Sequence, residues 1–386
     1  MVKAVIAVAV IILVIRLYLN SVSLPKYQIG DQVKITASLT TEPIKVYQKT
    51  YVIVAGISIP VPPEVELSYD DKFTATGTLA KPLINNKSVK FSLVNGNFVL
   101  LSNSLSLLGW SRQLHDKLIY KQLRWLPGDE GALAAGILIG GTGQMSYELK
   151  NNFNRVSLTH VVAASGYNVT LLAAWTMLIL GKWLNRRLVI YLSIVSIILY
   201  VFIAGATASV IRAGIMATAA WSGKLWGRES NSLWLLALAA WSMLMINPNY
   251  LADIGFQLSL AATTGILWAG PKNDWWTSIA AQAATIPLIL HHFGNLSVVA
   301  PVVNILLLWM IAPLMQILAL GLVSGPVNWL AWPGLKLMNS VVNGVGSWSW
   351  ASWQVGYISW WWVIGYYVVI VISYELVNRR FGLKRH

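Results

Sequence analysis

The chain has 386 residues, of which 56% are hydrophobic and only 11% charged, a composition that excludes an ordinary soluble surface. It contains no cysteine, which excludes disulfides, thiolate metal sites and a cysteine nucleophile. The net charge of +14 would suit a nucleic-acid partner, but short cytoplasmic loops of membrane proteins are also rich in lysine and arginine, so we assign most of this excess to membrane orientation.

Residues 1–22 are predicted to form an uncleaved transmembrane anchor. Ala4 to Ile15 is an uninterrupted apolar run, with Lys3 before it and Arg16 after it. Such a run also occurs in signal peptides. The apolar stretch continues through residues 17–19, however, past an arginine whose long side chain can reach the interface, and this favours an anchor.

Residues 27–102 alternate between apolar and polar side chains. Val33, Ile35 and Ala37 show the period of two that is typical of half-buried strands. The segments 85–87 (Asn-Asn-Lys) and 95–96 (Asn-Gly) predict hairpin turns. We therefore predict a small five-stranded β-barrel like the oligonucleotide-binding (OB) fold, with any other small barrel as the alternative. Its lysines barely outnumber its acidic residues, so tight DNA binding by this domain alone is not expected.

Residues 105–127 mix leucines with basic side chains and predict an amphipathic helix lying at the membrane interface. Such a helix would join the barrel to the part of the chain that follows. A basic vestibule for DNA is the alternative role.

Residues 130–378 are predicted to form a transmembrane domain. Spans are expected near 157–181, 187–205, 206–223, 231–247, 253–270, 275–292, 297–325 (two spans) and 356–377. The run 132–143 is too short to cross and is expected to be re-entrant.

The distribution of basic loops predicts the orientation of these spans. The loops near Arg186 and Arg228 are separated by two spans and share a side with the basic tail 379–386, which the positive-inside rule places in the cytoplasm. The barrel then lies outside the cell. The predicted fold is a polytopic α-helical membrane protein, with about 9–11 spans and an N-terminal extracytoplasmic OB-like barrel.

Polar residues interrupt the first of these spans. His160, Ser165, Gly166 and Asn168 lie in a run that is otherwise apolar, where each unpaired polar group costs several kcal/mol. Such groups pair across helices or line a wet path. Five residues apart on one helix, His160 and Ser165 would lie about 140° apart, which disfavours a catalytic pair, so no catalytic residue is predicted.

Further polar residues follow in later spans. Arg212 would need an anion, water or a carboxylate, and Asp253 is its expected partner. Asp253 also suits a helix N-cap, with Gln257 one turn later forming an interhelical hydrogen bond. His291 and His292 are adjacent and therefore a poor metal pair, and no metal or cofactor is predicted.

Several segments resemble, in family order, the ComEC competence proteins. They are ALAAGILIGG, NNFNRVSLTHVVAASGYNV, SVIRAGIMA, NPNYLADIGFQLSLAATTGIL and AAQAATIPLILHHFGNLSVVAPVVNILLLWMIAPL. The resemblance implies an inner-membrane channel that imports single-stranded DNA during transformation, in contact with membrane lipid and other DNA-uptake proteins. It covers about 200 residues and carries over, as channel-lining or structural positions, His160, Ser165, Gly166, Arg212, Asp253, Gly255, Gln257, Pro287, Gly294 and Asn304. Asn168 joins this set as a buried polar position, although it does not match the family pattern.

The chain departs from the family pattern at three points. Asn168 stands where the family has a second histidine, and an asparagine cannot titrate. Ser157 stands where it has a glycine. The metallo-β-lactamase-like domain of many members is not matched, so a short form that relies on a separate nuclease is expected.

Two rival functions and the oligomeric state stay open at this point. An intramembrane hydrolase would use Ser165 with His160. A transporter of another polyanion or of a lipid-linked polymer would use the same helices. Formation of a homo-oligomer is also left open.

Overall fold

The computed structural model describes residues 2–23, 27–38, 44–46, 49–54, 56–63, 65, 71–83, 89–102, 107–141, 143–162, 164–270 and 274–381. The chain divides into two compact units, Met1–Lys117 and Leu118–His386. The predicted turn at 85–87 and the end of the basic tail, 382–386, lie outside the described residues.

The first unit begins with helix α1 (Val2–Ser23), in the range predicted for the anchor. Its apolar side chains are largely exposed, including Ile11, Val14 and Tyr18. Six strands follow: β1 (Gln32–Ser38), β2 (Ile44–Val46), β3 (Lys49–Val54), β4 (Ile57–Val61), β5 (Lys72–Ala80) and β6 (Phe91–Ser102).

These strands form one sheet in the order β1-β5-β6-β4-β3-β2, with β4 and β6 parallel and the other neighbours antiparallel. One face buries Ile59, Phe73 and Leu93, so the alternation seen in the sequence is confirmed. The described residues of this unit form six strands rather than five. Within the described residues the two edge strands, β1 and β2, are not paired with each other, so a closed OB-like barrel stays a prediction.

The predicted hairpin turn at Asn95-Gly96 is wrong. Both residues lie inside β6, at a register shift opposite Gly77. Asn95 has φ +51°, and a Cβ on Gly77 would lie 2.8 Å from the carbonyl oxygen of Val94. The Asn-Gly pair therefore forms a bulge in a continuous strand, because the backbones approach too closely for side chains at both positions.

Helix α2 (Leu107–Trp125) matches the helix predicted at 105–127, although its place at a membrane interface stays a prediction. The second unit is helical. Its helices are α3 (Gly128–Leu138), α4 (Tyr147–Arg155), α5 (Thr159–Val162), α6 (Gly166–Leu180), α7 (Arg186–Ile203), α8 (Ala208–Leu225), α9 (Ser232–Ile246), α10 (Ile254–Ala269), α11 (Asp274–Phe293), α12 (Ala300–Val323), α13 (Trp332–Gly346) and α14 (Trp360–Phe381). A two-stranded sheet pairs β7 (Asn295–Ser297) with β8 (Ser352–Gln354).

The core of this unit forms around α3, which is buried from Gly131 to Leu138 and contacts α5, α12 and α13. A second core lies between α6, α7 and α8. The remaining helices continue as a row, with α9 against α8, α10 against α9, α11 against α10 and α14 against α11.

In the part of the chain that the structure describes, two helices, α7 and α12, are long and apolar enough to cross a membrane. Two of the predicted spans are wrong. The range 297–325 holds one helix, α12, which runs through Pro313 without ending. The range 157–181 is not one helix, because residues 164–165 are non-helical and separate α5 from α6.

Candidate functional site

The start of α6 brings together several of the predicted polar residues. Ser165 precedes the helix in an extended conformation, with φ −118° and ψ 164°. The chain can pass close to α3 here because Gly140, with φ +99°, has no side chain: a Cβ on it would lie 2.6 Å from the Cβ of Ala164. The helix therefore starts late, and its first turn points into the unit rather than continuing α5.

Asn168 is the best-connected polar side chain at this position. It is buried, and its Nδ2 donates to the carbonyl oxygen of Ile137 at 2.9 Å and to the hydroxyl of Tyr200 at 3.2 Å. Its Oδ1 accepts from Ser165 Oγ at 3.1 Å, and Tyr200 donates to the carbonyl oxygen of Leu138 at 3.1 Å. Asn168 thus ties α6 to the C-terminal end of α3 and to α7, a role that requires no titration.

Helix α6 packs closely against α8 at Gly166. A Cβ on Gly166 would lie 3.0 Å from the Cβ of Ala213 and 3.3 Å from Nη2 of Arg212. One turn before Arg212, Ser209 Oγ donates to the carbonyl oxygen of Ala164 at 3.1 Å. We call Ser165, Gly166, Asn168, Tyr200, Ser209 and Arg212 the α6 N-terminal cluster.

The expected ion pair between Arg212 and Asp253 is wrong. Among the described residues, no carboxylate oxygen lies within 4.0 Å of the Arg212 guanidinium, and its Nε and Nη1 are buried with no hydrogen-bond partner. Asp253 is instead an exposed N-cap at the start of α10. A helix cap uses the carboxylate locally, so it is not available to an arginine on α8.

The cap and the hydrogen bond predicted at α10 are confirmed. Asp253 Oδ1 accepts from the backbone N–H of Phe256 at 2.7 Å. Gln257 Nε2 donates to the carbonyl oxygen of Leu251 at 2.8 Å, and its Oε1 accepts from His292 Nε2 on α11 at 2.7 Å. Gln257 therefore joins α10 to α11.

Gly255 and Tyr250 lie next to the Asp253 cap at the start of α10. A Cβ on Gly255 would lie 3.1 Å from Asp253 Oδ1, so a larger residue would crowd the cap. Burial raises the pKa of Tyr250, just before the cap, and the Asp253 carboxylate raises it further, so the phenol stays neutral. We call Asp253, Gly255, Gln257 and His292 the α10 N-terminal cluster.

Pro287 and Gly294 shape α11 and its exit. Pro287 lies inside the helix. Gly294 ends it with φ +71°, and its carbonyl oxygen accepts from the backbone N–H groups of Val355 and Gly356. A Cβ on Gly294 would lie 3.3 Å from the ring of Tyr357, so glycine suits both the conformation and the space.

The other predicted residues lie apart from these clusters. His160 is exposed on α5, and its Nδ1 donates to the carbonyl oxygen of Ser157 at 3.0 Å. Ser157 has φ +58°, the left-handed conformation that glycine adopts without strain, which explains the glycine of the family pattern at this position. Asn304 is buried on α12, and its Oδ1 has no hydrogen-bond partner among the described residues.

Sequence reasoning missed Tyr200, Ser209 and Asn339. Tyr200 and Ser209 complete the α6 N-terminal cluster, and Asn339 on α13 is buried with both amide atoms unpaired in the described part of the chain. Each is a polar side chain in a helix that is largely apolar, the same pattern that identified Asn168. The described residues hold no group of three or more His, Asp or Glu side chains that could bind a metal ion.

Comparisons with known proteins connect these clusters to a family. A model of the family described as Competence protein matches residues 137–380. The chain is 27% identical over 194 residues to ComE operon protein 3 of Bacillus subtilis (strain 168), which covers 47% of this chain and 25% of that relative. It is 24% identical over 242 residues to Competence protein ComA of Neisseria gonorrhoeae, which covers 53% of this chain and 33% of that relative.

The aligned part is thus a third or less of the length of these curated relatives. No solved structure gives a significant match. The family match covers more than half of the chain, extends from α3 into α14 and contains every predicted polar position. The chain therefore belongs to the Competence protein family, as the order of its motifs predicted.

Proposed function

We propose that this protein is a multi-pass channel of the inner membrane that imports single-stranded DNA during natural transformation. Competence is the state in which a cell takes up DNA, and the family and one of the two relatives, ComA, are named for it. The observation that carries the proposal is the distribution of side chains in the helical unit, where large apolar residues face outward and polar residues face inward.

The outward face is apolar on helices throughout the unit. The large apolar residues that are exposed include Leu178, Tyr191, Val195, Leu199, Val302, Leu306, Trp309, Leu320, Ile364 and Val368. Soluble proteins rarely expose such continuous apolar faces, whereas a bilayer solvates them. This supports a bundle with more spans than α7 and α12 alone.

The inward polar residues are Asn152, Asn168, Ser193, Arg212, Asn304, Asn328 and Asn339. Polar side chains in membrane helices face the bundle interior or a water-filled cavity. They are spread over α4, α6, α7, α8, α12 and α13, with Asn328 in the 3-10 turn between α12 and α13. Among the described residues this set includes one cation and no carboxylate. A conduit for a polyanion needs such a polar or basic lining, and a compact catalytic site does not fit this spread.

DNA entry into lipid vesicles tests the proposal. We expect a fluorescent single-stranded oligonucleotide to become protected from added nuclease in vesicles that contain the purified protein, because only internalised DNA escapes digestion. Protein-free vesicles of the same lipid are the control, and labelled polyphosphate tests transport of another polyanion. Equal protection with and without protein would contradict the proposal.

The proposed orientation places the strand domain outside the cell and the loop near Arg228 in the cytoplasm. Because the chain has no cysteine, single introduced cysteines can be labelled without background. We expect Lys81→Cys, at an exposed position after β5, to react with a membrane-impermeant maleimide in right-side-out vesicles. Arg228→Cys, also exposed, should react only after the membrane is permeabilised. The reverse pattern would invert the topology.

The hydrolase alternative finds little support in the hydrogen bonds. Ser165 Oγ donates a hydrogen bond to Asn168 Oδ1, while His160 Nδ1 donates to the carbonyl oxygen of Ser157. A serine nucleophile requires a base that accepts its proton, and the partner of Ser165 is an amide. The DNA channel is therefore the better proposal.

A further inference from the structure

Two sources of positive charge meet where α6 begins. One is the guanidinium of Arg212, whose Nη2 lies 3.3 Å from the point that a Cβ on Gly166 would occupy. The other is the N-terminus of α6, a helix of 15 residues whose aligned peptide dipoles place about half a positive charge at its first turn. A cation beside a helix N-terminus is unfavourable unless an anion lies between them.

The polar groups nearby do not neutralise this charge. Arg212 is only 7% exposed, and its Nε and Nη1 have no hydrogen-bond partner among the described residues. Ser165 makes no side-chain cap to α6, since its hydroxyl donates to Asn168 Oδ1 instead. A guanidinium does not lose its proton in proteins, so burial leaves it charged.

A merely structural role for Arg212 would require a partner that is not seen. A buried arginine that clasps helices donates to carbonyl oxygens or carboxylates, and the described residues supply neither to Nε or Nη1. The nearest expected carboxylate, Asp253, caps α10. Gly166, in contrast, lets the guanidinium lie close to the backbone of α6, because a Cβ there would lie 3.3 Å from Nη2.

We propose that Arg212 and the first turn of α6 form a binding site for one phosphodiester group of the transported DNA strand. The planar guanidinium presents parallel N–H donors to the two non-bridging oxygens of a phosphodiester, and free backbone N–H groups at a helix N-terminus bind phosphate in many proteins. The site reads no base, as a conduit for any sequence requires. The identity of the ligand rests on the proposed function.

Oligonucleotide binding to the purified full-length protein in detergent tests this site. We expect Arg212→Gln to weaken binding of a fluorescent oligothymidylate about tenfold, because a charge-assisted contact in a buried position is lost. Arg212→Lys keeps the positive charge but not the parallel N–H donors of the guanidinium. Its oligonucleotide affinity should lie between those of wild type and Arg212→Gln. Arg187→Gln removes an exposed basic residue at the start of α7 and should bind like wild type. A methylphosphonate oligonucleotide, whose backbone is uncharged, should bind wild type and Arg212→Gln equally.

Gly166→Ala provides a second variant that keeps the arginine. Its Cβ would crowd Nη2 of Arg212 at 3.3 Å and should weaken binding without removing charge. Equal oligonucleotide affinity for wild type, Arg212→Gln and Gly166→Ala, with all three folded by circular dichroism, would overturn the site. Loss of bound phosphatidylglycerol in Arg212→Gln with unchanged DNA binding would overturn the DNA assignment in favour of a lipid headgroup.

The outcomes separate this site from the proposed function. If Arg212→Gln loses oligonucleotide binding but wild-type vesicles protect no DNA, the site stands and the channel proposal fails. If wild-type and Arg212→Gln vesicles import DNA equally, the channel proposal stands and the site fails.

Discussion

Replacing Arg212 by alanine is expected to reduce transformation by about tenfold or more, because the buried guanidinium lies beside Gly166 in the first turn of α6. The measurement is the number of transformants per cell at equal DNA concentration, with the amount of membrane-inserted protein matched by immunoblot. Normal transformation by the variant would show that Arg212 does not contact the transported DNA.

The effect of Arg212→Ala on stability distinguishes a DNA-contacting role of the arginine from a structural role in holding the helices together. Breaking a buried ion pair typically costs about 3–5 kcal/mol, because one charge is left unpaired. Arg212 has no carboxylate within 4.0 Å among the described residues, so its removal should cost less than the loss of a buried ion pair. A large loss of stability in Arg212→Ala would instead identify a structural clasp.

Of the substitutions proposed, Asn168→Ala is expected to lower the free energy of unfolding most. The change leaves the carbonyl oxygen of Ile137 without its amide donor and removes one hydrogen bond each from Tyr200 and Ser165. A buried group left unpaired costs about 1–3 kcal/mol. Denaturant unfolding in micelles, followed by the fluorescence of the 20 tryptophans, measures the change.

Thr170→Ala is the matched control on the same helix. The Thr170 hydroxyl is exposed and donates to the carbonyl oxygen of Gly166 within α6, so its loss should change the free energy of unfolding by less than about 0.5 kcal/mol. If Asn168→Ala and Thr170→Ala unfold at the same denaturant concentration, the connection between α3, α6 and α7 does not depend on Asn168.

Local patterns account for the elements that the sequence predicted well. Asp253 was expected to cap a helix and does so, because capping depends on the residue and the N–H groups of the next turn. The alternation in residues 33–37 likewise predicted a strand, since one face of a sheet is buried. The family was also predictable, because its motifs are short segments in a fixed order.

Errors arose where a distant contact decides the local structure. Asn95-Gly96 forms a bulge rather than a turn because Gly77 on the neighbouring strand allows close approach. The apolar run 157–181 is interrupted before α6 because Gly140 on the preceding segment packs against Ala164. Hydrophobicity alone predicted a continuous span there, since it contains no information about the partner.

The sequence by itself determined that the chain is apolar, that Arg212 and Asn168 lie in apolar segments and that its motifs follow the order of the Competence family. Only the tertiary structure decided their partners. Asn168 pairs with α3 and α7, Asp253 caps its own helix, and Arg212 is left beside the first turn of α6. The physical reason is that apolarity and charge are properties of individual residues and can be read from the sequence. A hydrogen bond or an ion pair requires two groups that only folding brings within 4 Å.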